Sequence, residues 1–294
     1  MNYYDIKKNF LAIEDKFSNF KDSKIAVLPI PYEATTSYGK GTSKGPEAIL
    51  KASHYVELFD EELNRELCFE KGICAVEEIK FGSKKGKPAL DLIYRKVKEL
   101  IDGKKFVVSL GGEHTIAAAT IKAHYDSYKN LSVLHFDAHS DLRDEYEGTK
   151  YSHASFAARV SEFTTKITQV GIRAQCIEEY RFIKEKGIKT FYAFEIRNGK
   201  YGKNWDDKII KTLNKNVYIT FDLDYFDPSI VTSTGTPEPD GFLWSETVKL
   251  LKKLGKKRNV VGFDLVELAP VKSNPFTDFL AAKLVYKMLN YFIK

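Results

Sequence analysis

The stretch Asp137-Ala138-His139-Ser140-Asp141 puts three potential metal ligands at i, i+2 and i+4, directly after the apolar run Ser132-Val133-Leu134-His135-Phe136. Side chains alternate along an extended backbone, so if that geometry persists all three point to one side. A second stretch repeats the pattern: Val217-Tyr218-Ile219-Thr220-Phe221 runs into Asp222-Leu223-Asp224. One strand ending in an aspartate is unremarkable by itself, because Asp bonds its own backbone in turns. Two apolar strands that both end in clustered carboxylates have no packing rationale. They make sense if the strand ends face each other across a cation site. A third loop, Gly111-Gly112-Glu113-His114, breaks the apolar run Phe106–Leu110. Its glycine pair is expected to turn the backbone sharply and expose His114 at the top of the strand.

The ligand set is then His114, Asp137, His139, Asp141, Asp222 and Asp224, four carboxylates and two imidazoles. Four ionised aspartates balance two divalent cations, whereas one cation would leave the cluster repulsive. Oxygen ligands dominate and no cysteine takes part, which favours Mn²⁺ over Zn²⁺. A carboxylate shared by two cations holds them about 3.5–4 Å apart, and water between them ionises near neutral pH.

Positioning these residues requires alternating strands and helices. Residues 1–23 read as a polar N-terminal arm with one short helix, and 24–294 as a single domain. Strands are expected at 24–30, near Cys68 to Val76, and at 106–110, 132–136, 167–172, 188–194, 217–221 and 260–265. Helices are expected at 89–101, where Leu90, Leu92, Ile93, Val97 and Leu100 form an apolar stripe, after Thr115, and near 206–213, 245–254 and 278–292. This alternation predicts an α/β fold with a mainly parallel sheet covered on both faces. Ligands of such sheets bind outside the carboxyl ends of the strands, where His114, the two aspartate clusters and Glu267 all fall. The loop 31–46 is rich in glycine and hydroxyls, but neither Gly39 nor Gly41 is followed at the P-loop spacing by Gly-Lys-Ser/Thr, so it reads as an active-site rim.

A net charge of +6 is mild for 294 residues, and the Lys252–Arg258 run reads as a solvated helix end, so no nucleic-acid partner is expected. The N-terminus lacks signal-peptide order and no apolar stretch reaches membrane-spanning length. Cys68, Cys74 and Cys176 make no Cys-x-x-Cys pair, which points to reduced thiols and a cytoplasmic protein. His54 and His124 are expected on the surface, and His135 as a buried, hydrogen-bonded residue. Glu113 is expected to support the site or start a helix, and Asp227 to hold the turn before Pro228.

The three candidate loops, written out as Gly111-Gly112-Glu113-His114, Asp137-Ala138-His139-Ser140-Asp141 and Phe221-Asp222-Leu223-Asp224-Tyr225-Phe226-Asp227-Pro228, resemble the metal motifs of the ureohydrolases, the family of arginases and agmatinases. The resemblance extends to Gly45-Pro46-Glu47-Ala48-Ile49, Gly171-Ile172-Arg173, Gly235-Thr236-Pro237-Glu238 and Asp264-Leu265-Val266-Glu267. It implies a three-layer α/β/α domain over 24–294 with an eight-stranded sheet, two Mn²⁺ per chain, and homotrimers or homohexamers. It also implies that Asp137 and Asp222 bridge the metals, that His114 and Asp141 complete one shell, and that His139 and Asp224 complete the other. His153 would be the proton shuttle and Glu267 the guanidinium partner.

Among ureohydrolases, arginases resemble one another in a Ser/Asn-rich segment after the Asp-x-His-x-Asp motif. Here the segment 142–153 is acidic and ends Tyr151-Ser152-His153, as agmatinases commonly do. Agmatine is therefore the first expected substrate, with Asp144, Glu145 and Thr236 as further contacts. N1-aminopropylagmatine comes next, then arginine or another guanidino compound, for which Arg143 is a potential carboxylate partner. An inactive metal-binding homologue acting as an oligomer partner, or a one-zinc deacetylase, would be of another class; the complete ligand set argues against both.

Overall fold

The computed structural model describes all 294 residues. Eight strands, β1 (Ile25–Ile30), β2 (Ile73–Ala75), β3 (Phe106–Gly111), β4 (Leu131–Phe136), β5 (Ile167–Ile172), β6 (Lys189–Tyr192), β7 (Asn216–Asp222) and β8 (Asn259–Val266), form one sheet in the order β2-β1-β3-β8-β7-β4-β5-β6. Every pairing is parallel. Both faces are covered, as a sheet of buried strands requires. Helices Gly45–Ser53, Trp205–Thr212, Trp244–Lys257 and Phe276–Phe292 pack on one face, and Lys87–Asp102, Ala117–Ser127, Phe156–Ser161 and Ile177–Lys186 on the other. No helix is long and apolar enough to cross a membrane.

Most expected elements lie within a residue or two of their observed bounds. Two regions differ. The stretch expected as strand from Cys68 begins instead with the helical turn Leu67–Lys71, and only Ile73–Ala75 is extended. Short apolar runs carry no distinguishing period, so a single turn of helix and a short strand look alike in sequence. The N-terminal segment is less polar in place than in composition. Phe10, Leu11 and Ile13 are buried in the first-face core, and Tyr4 N donates to Ala75 O beside the edge strand.

His124 is fully buried, contrary to its expected surface position, and His54 is half-buried, with Nε2 2.9 Å from Asn9 O. His124 lies in the alanine-rich helix Ala117–Ser127, which sits so close to the sheet that the imidazole covers Gly262 of β8. A Cβ at Gly262 would lie 2.3 Å from His124 Nε2. Nδ1 lies 2.8 Å from Thr120 O, and burial lowers the pKa to about 4. Gly262→Ala is expected to destabilise the fold by about 1–3 kcal/mol, because the ring is fully buried and held at Nδ1 by Thr120 O, so making room for a methyl group breaks packing or that bond. Urea denaturation would read this as a lower midpoint at unchanged slope; an unchanged midpoint would show that the helix can lift off β8.

Candidate metal centre

The four central strands, β3, β8, β7 and β4, are consecutive neighbours in the sheet, so their carboxyl ends form one rim. His114 follows β3, Glu267 follows β8, Asp222 ends β7 with Asp224 two residues on, and Asp137 follows β4. Adjacency in the sheet brings together residues more than a hundred positions apart in the chain. Asp141 and Glu267 sit at φ of 51° and 65°, left-handed values that non-glycine residues adopt at a cost. Such strain persists where the surroundings over-determine it, here within the site itself.

The glycines before His114 work differently from expectation. Neither Gly111 nor Gly112 has positive φ; they are required by close approach. A Cβ on Gly112 would lie 2.1 Å from Tyr32 O, and one on Gly111 2.4 Å from Ile116. His114 is therefore pressed into the protein rather than exposed, at 1% accessibility.

The ligand-capable atoms fall into two groups, one of His114, His135, Asp137 and Asp141, the other of Asp137, His139 and Asp224. Asp137 belongs to both. Its Oδ2 is 3.0 Å from His114 Nδ1 and its Oδ1 3.6 Å from His139 Nδ1. Asp222 Oδ2 lies 3.1 Å and Asp141 Oδ2 3.4 Å from the same His114 nitrogen, so Asp222 faces the first group. Asp224 Oδ2 is 2.9 Å from His139 Nδ1.

Hydrogen bonds at the far sides of the rings set their tautomers. Thr220 Oγ1 donates to Asp264 Oδ1, so at 2.8 Å from Thr220 the His114 Nε2 is the donor and Nδ1 carries the lone pair. That Nδ1 is buried, within 3.4 Å of three carboxylate oxygens, and aligned with none of them for a hydrogen bond. Ring lone pair and carboxylates converging on one point fit a cation. His135 is the reverse case. Gln169 Nε2 donates to its Nδ1 at 3.2 Å, which leaves Nε2–H to donate to Asp137 Oδ2 at 2.7 Å. It is buried and hydrogen-bonded as expected, and it holds Asp137 rather than competing for the ion.

Charge in the cluster is poised for cations. Burial, with the charge of Asp137, pushes the Asp141 carboxyl up to about 6. Burial and the charges of Asp224 and Asp137 drive Asp222 well above its usual range. For His114 burial opposes protonation, but the crowding carboxylates of Asp137, Asp141 and Asp222 outweigh it and hold the pKa well above 6.5, a pull that a cation neutralising those carboxylates would remove. Carboxylates that resist ionising side by side are stabilised when positive charge arrives.

Above the cluster is an open cavity of about 300 Å³, lined among others by His153, Thr236, Arg143, Tyr146, Glu238 and Glu267. Glu267 Oε1 accepts from His114 N at 2.6 Å; burial and the neighbouring Glu113 carboxylate raise its pKa far above normal. Glu113 supports the site from beneath. It accepts from Ala34 N, Thr35 N, Thr35 Oγ1 and Thr115 Oγ1, and so fixes the 34–35 loop. Thr35 in turn contacts His153: its Oγ1 accepts from His153 N at 3.1 Å and lies 3.3 Å from Nδ1. With the Thr35 proton committed to Glu113, His153 Nδ1 is the donor and Nε2 keeps the lone pair.

Asp144 and Glu145, expected substrate contacts, are both exposed and off the cavity wall. Asp144 pairs with Arg159 at 2.7 Å and Lys150 at 3.5 Å. Asp227 holds its turn, accepting from Ser229 N and Gly241 N. Thr35, Glu238 and Arg173 carry parts of the site that side-chain spacing did not single out. Arg173 spends its guanidinium on backbone carbonyls alone, those of Gly171, Asp224, Tyr225, Phe226, Glu238 and Pro239. It pins the Asp224 loop to the 238–239 loop.

Residues 23–290 match the model of the Arginase family. The chain is 38% identical to the N(1)-aminopropylagmatine ureohydrolase of Synechocystis sp., over 97% of this chain and 94% of that protein. It is 33% identical to the agmatinase of Bacillus cereus, over 94% of each. Its fold superposes on the agmatine ureohydrolase of Thermoplasma volcanium with a TM-score of 0.85 and 29% identity, covering 97% of this chain and 94% of that one.

Proposed function

The chain belongs to the arginase family, and on that premise we propose that this ureohydrolase cleaves the guanidinium group of agmatine, giving urea and putrescine, with two Mn²⁺ held by His114, Asp137, His139, Asp141, Asp222 and Asp224. The observation that carries the reading is Glu267. A buried carboxylate with a strongly raised pKa, on the wall beside the cluster, is a place where a planar cation is stabilised. Its two oxygens suit the paired N–H groups of a guanidinium and fix the carbon over the cluster. When bound, divalent cations supply Lewis acidity and lower the pKa of water.

The protein's own groups supply the rest. The departing amine must be protonated to leave, and His153 offers an unprotonated Nε2 that can take a proton and return it. Asp137, oriented by His135 and by the backbone N–H of His139 at 2.6 Å, faces both ligand groups and is suited to be shared. The Asp264 carboxylate, receiving hydroxyls from Thr120, Tyr218 and Thr220, fixes the ring of His114 from behind.

A second reading is N1-aminopropylagmatine, favoured by the openness of the cavity towards the exposed Tyr38 and by the activity named for the Synechocystis relative. Both substrates lack the α-carboxylate of arginine. Agmatine is expected to exceed arginine by two to three powers of ten in kcat/KM, equivalent to about 3–4 kcal/mol of transition-state discrimination. Urea release with Mn²⁺ measures this directly. Arginine turned over equally well would remove the agmatinase reading and implicate Arg143, the only Lys or Arg on the cavity wall, as its carboxylate partner.

A further inference from the structure

We propose that Glu238 is the acceptor for the substrate ammonium that lies four methylenes from the guanidinium. This rests on the ureohydrolase reading and assigns the part of the site that recognises the tail. Six carboxylates line the cavity. Asp141, Asp222 and Asp224 belong to the ion cluster, and Glu267 is the acceptor for the guanidinium. Glu179 is occupied by Leu142 N at 2.9 Å and Cys176 N at 2.7 Å. Among the cavity carboxylates outside the ion cluster, Glu238 alone has no hydrogen-bond donor. The imidazole nearest to its carboxylate is His139, whose Nε2 lies 3.8 Å away, outside hydrogen-bond range.

The backbone beneath this carboxylate is held firmly. Arg173 donates to Glu238 O and Pro239 O, both at 2.9 Å, and to Asp224 O at 2.6 Å, so the loop is tied to the strand end that carries a ligand. On the other side Gly39 N donates to Gly235 O at 3.1 Å, and Gly235 lies over Glu267, where an added Cβ would be 3.7 Å from Oε2. The same short loop therefore covers the guanidinium partner at Gly235 and presents a free carboxylate three residues later. A backbone held in advance leaves only the side chain to be ordered when the ligand arrives.

The chemistry suits both candidate substrates. Agmatine ends in an ammonium four methylenes from the guanidinium. N1-aminopropylagmatine has a secondary ammonium at that same position and continues beyond it. With 37% of its side chain exposed, Glu238 sits at the cavity mouth, so the aminopropyl extension would pass it into solvent. Asp144 and Glu145, exposed and off the wall, are screened and cannot replace it.

The alternative role for Glu238 is to position His139 through Nε2, and Glu238→Gln separates the two. On the manganese-loaded protein, kcat/KM for agmatine and for N1-aminopropylagmatine should fall about 10–100-fold, the scale of one hydrogen bond to a charged group. The loss should sit mainly in KM. n-Butylguanidine, whose tail is neutral, should be unaffected, and the manganese content should stay at the wild-type value. Equal losses for all three guanidines, a fall in manganese content, or unchanged agmatine kinetics would each overturn the proposal. Calorimetric titration of agmatine into both proteins tests the same contact without turnover. If the wild type releases urea from no guanidine, the proposed reaction is wrong, while weaker agmatine binding by the variant would still support the subsite and equal binding would refute it.

Discussion

Asp137→Ala is expected to abolish urea release and to lower the bound manganese of both halves of the cluster together. Asp137 is the one residue common to the two ligand-capable groups, with one carboxylate oxygen turned to His114 and the other to His139. Its loss removes a ligand from each and leaves His135 Nε2–H without its acceptor. The loss should exceed the roughly 10–100-fold that removal of an outer-shell partner costs. Asp224→Ala, which touches only the second group, should leave the first better occupied. Metal analysis alongside kinetics separates the cases: two retained metals and near-normal turnover in Asp137→Ala would refute the shared-ligand assignment. Acidification should mimic the defect. Asp141 is raised to about 6, so below that pH protons compete with cations for the cluster, and apparent manganese affinity should fall as pH falls.

The strand ends were legible because unbroken apolar runs, the pattern of strands buried on both faces, stop at clustered carboxylates after Phe136 and Phe221. The stripe on Lys87–Asp102 was legible for the equivalent helical reason. His124 was not, because its helix has only a narrow polar edge at Lys122 and Asp126 and is otherwise mostly small buried residues, a pattern against which a histidine is hard to place. The supporting groups were also hidden. Thr35 and Glu238 lie in Gly- and Pro-rich loops whose paths are set by contacts with Glu113 and Arg173, and these join residues 78 and 65 positions apart. The left-handed conformation of Glu267 has no sequence mark, and that of Asp141 only the weak one that aspartate tolerates it better than most residues. Spacing along one strand therefore identified ligands, and local bonds from His135 and His139 orient Asp137, while what orients His114 and His153 depended on contacts between distant segments.

His153→Ala is expected to keep its metals and to lose about 10²–10⁴-fold in kcat, the contribution typical of a general acid–base group. No other group on the cavity wall has the same preparation. Thr35 fixes the ring through the backbone N–H and Nδ1, and Glu113 fixes Thr35. Tyr146 packs edge-on at 5.5 Å, so the imidazole is aimed and Nε2 is kept basic. Burial lowers the pKa below 6.5; Glu113 opposes this, and positive charge at the cluster around His114 and His139 reinforces it. Cations bound at the cluster add repulsion of the same sign. A proton shuttle starts its cycle neutral, so wild-type kcat should hold at neutral pH and fall as pH drops through a value below 6.5. With manganese kept saturating across the pH range, that limb should vanish in His153→Ala along with most of the rate, and added imidazole should restore part of both. Thr35→Ala should instead keep the limb at lower amplitude, because the base remains but is less well aimed. Loss of manganese from His153→Ala would make the residue a ligand, and an unchanged kcat would assign the proton transfer to bulk water through the open mouth of the cavity.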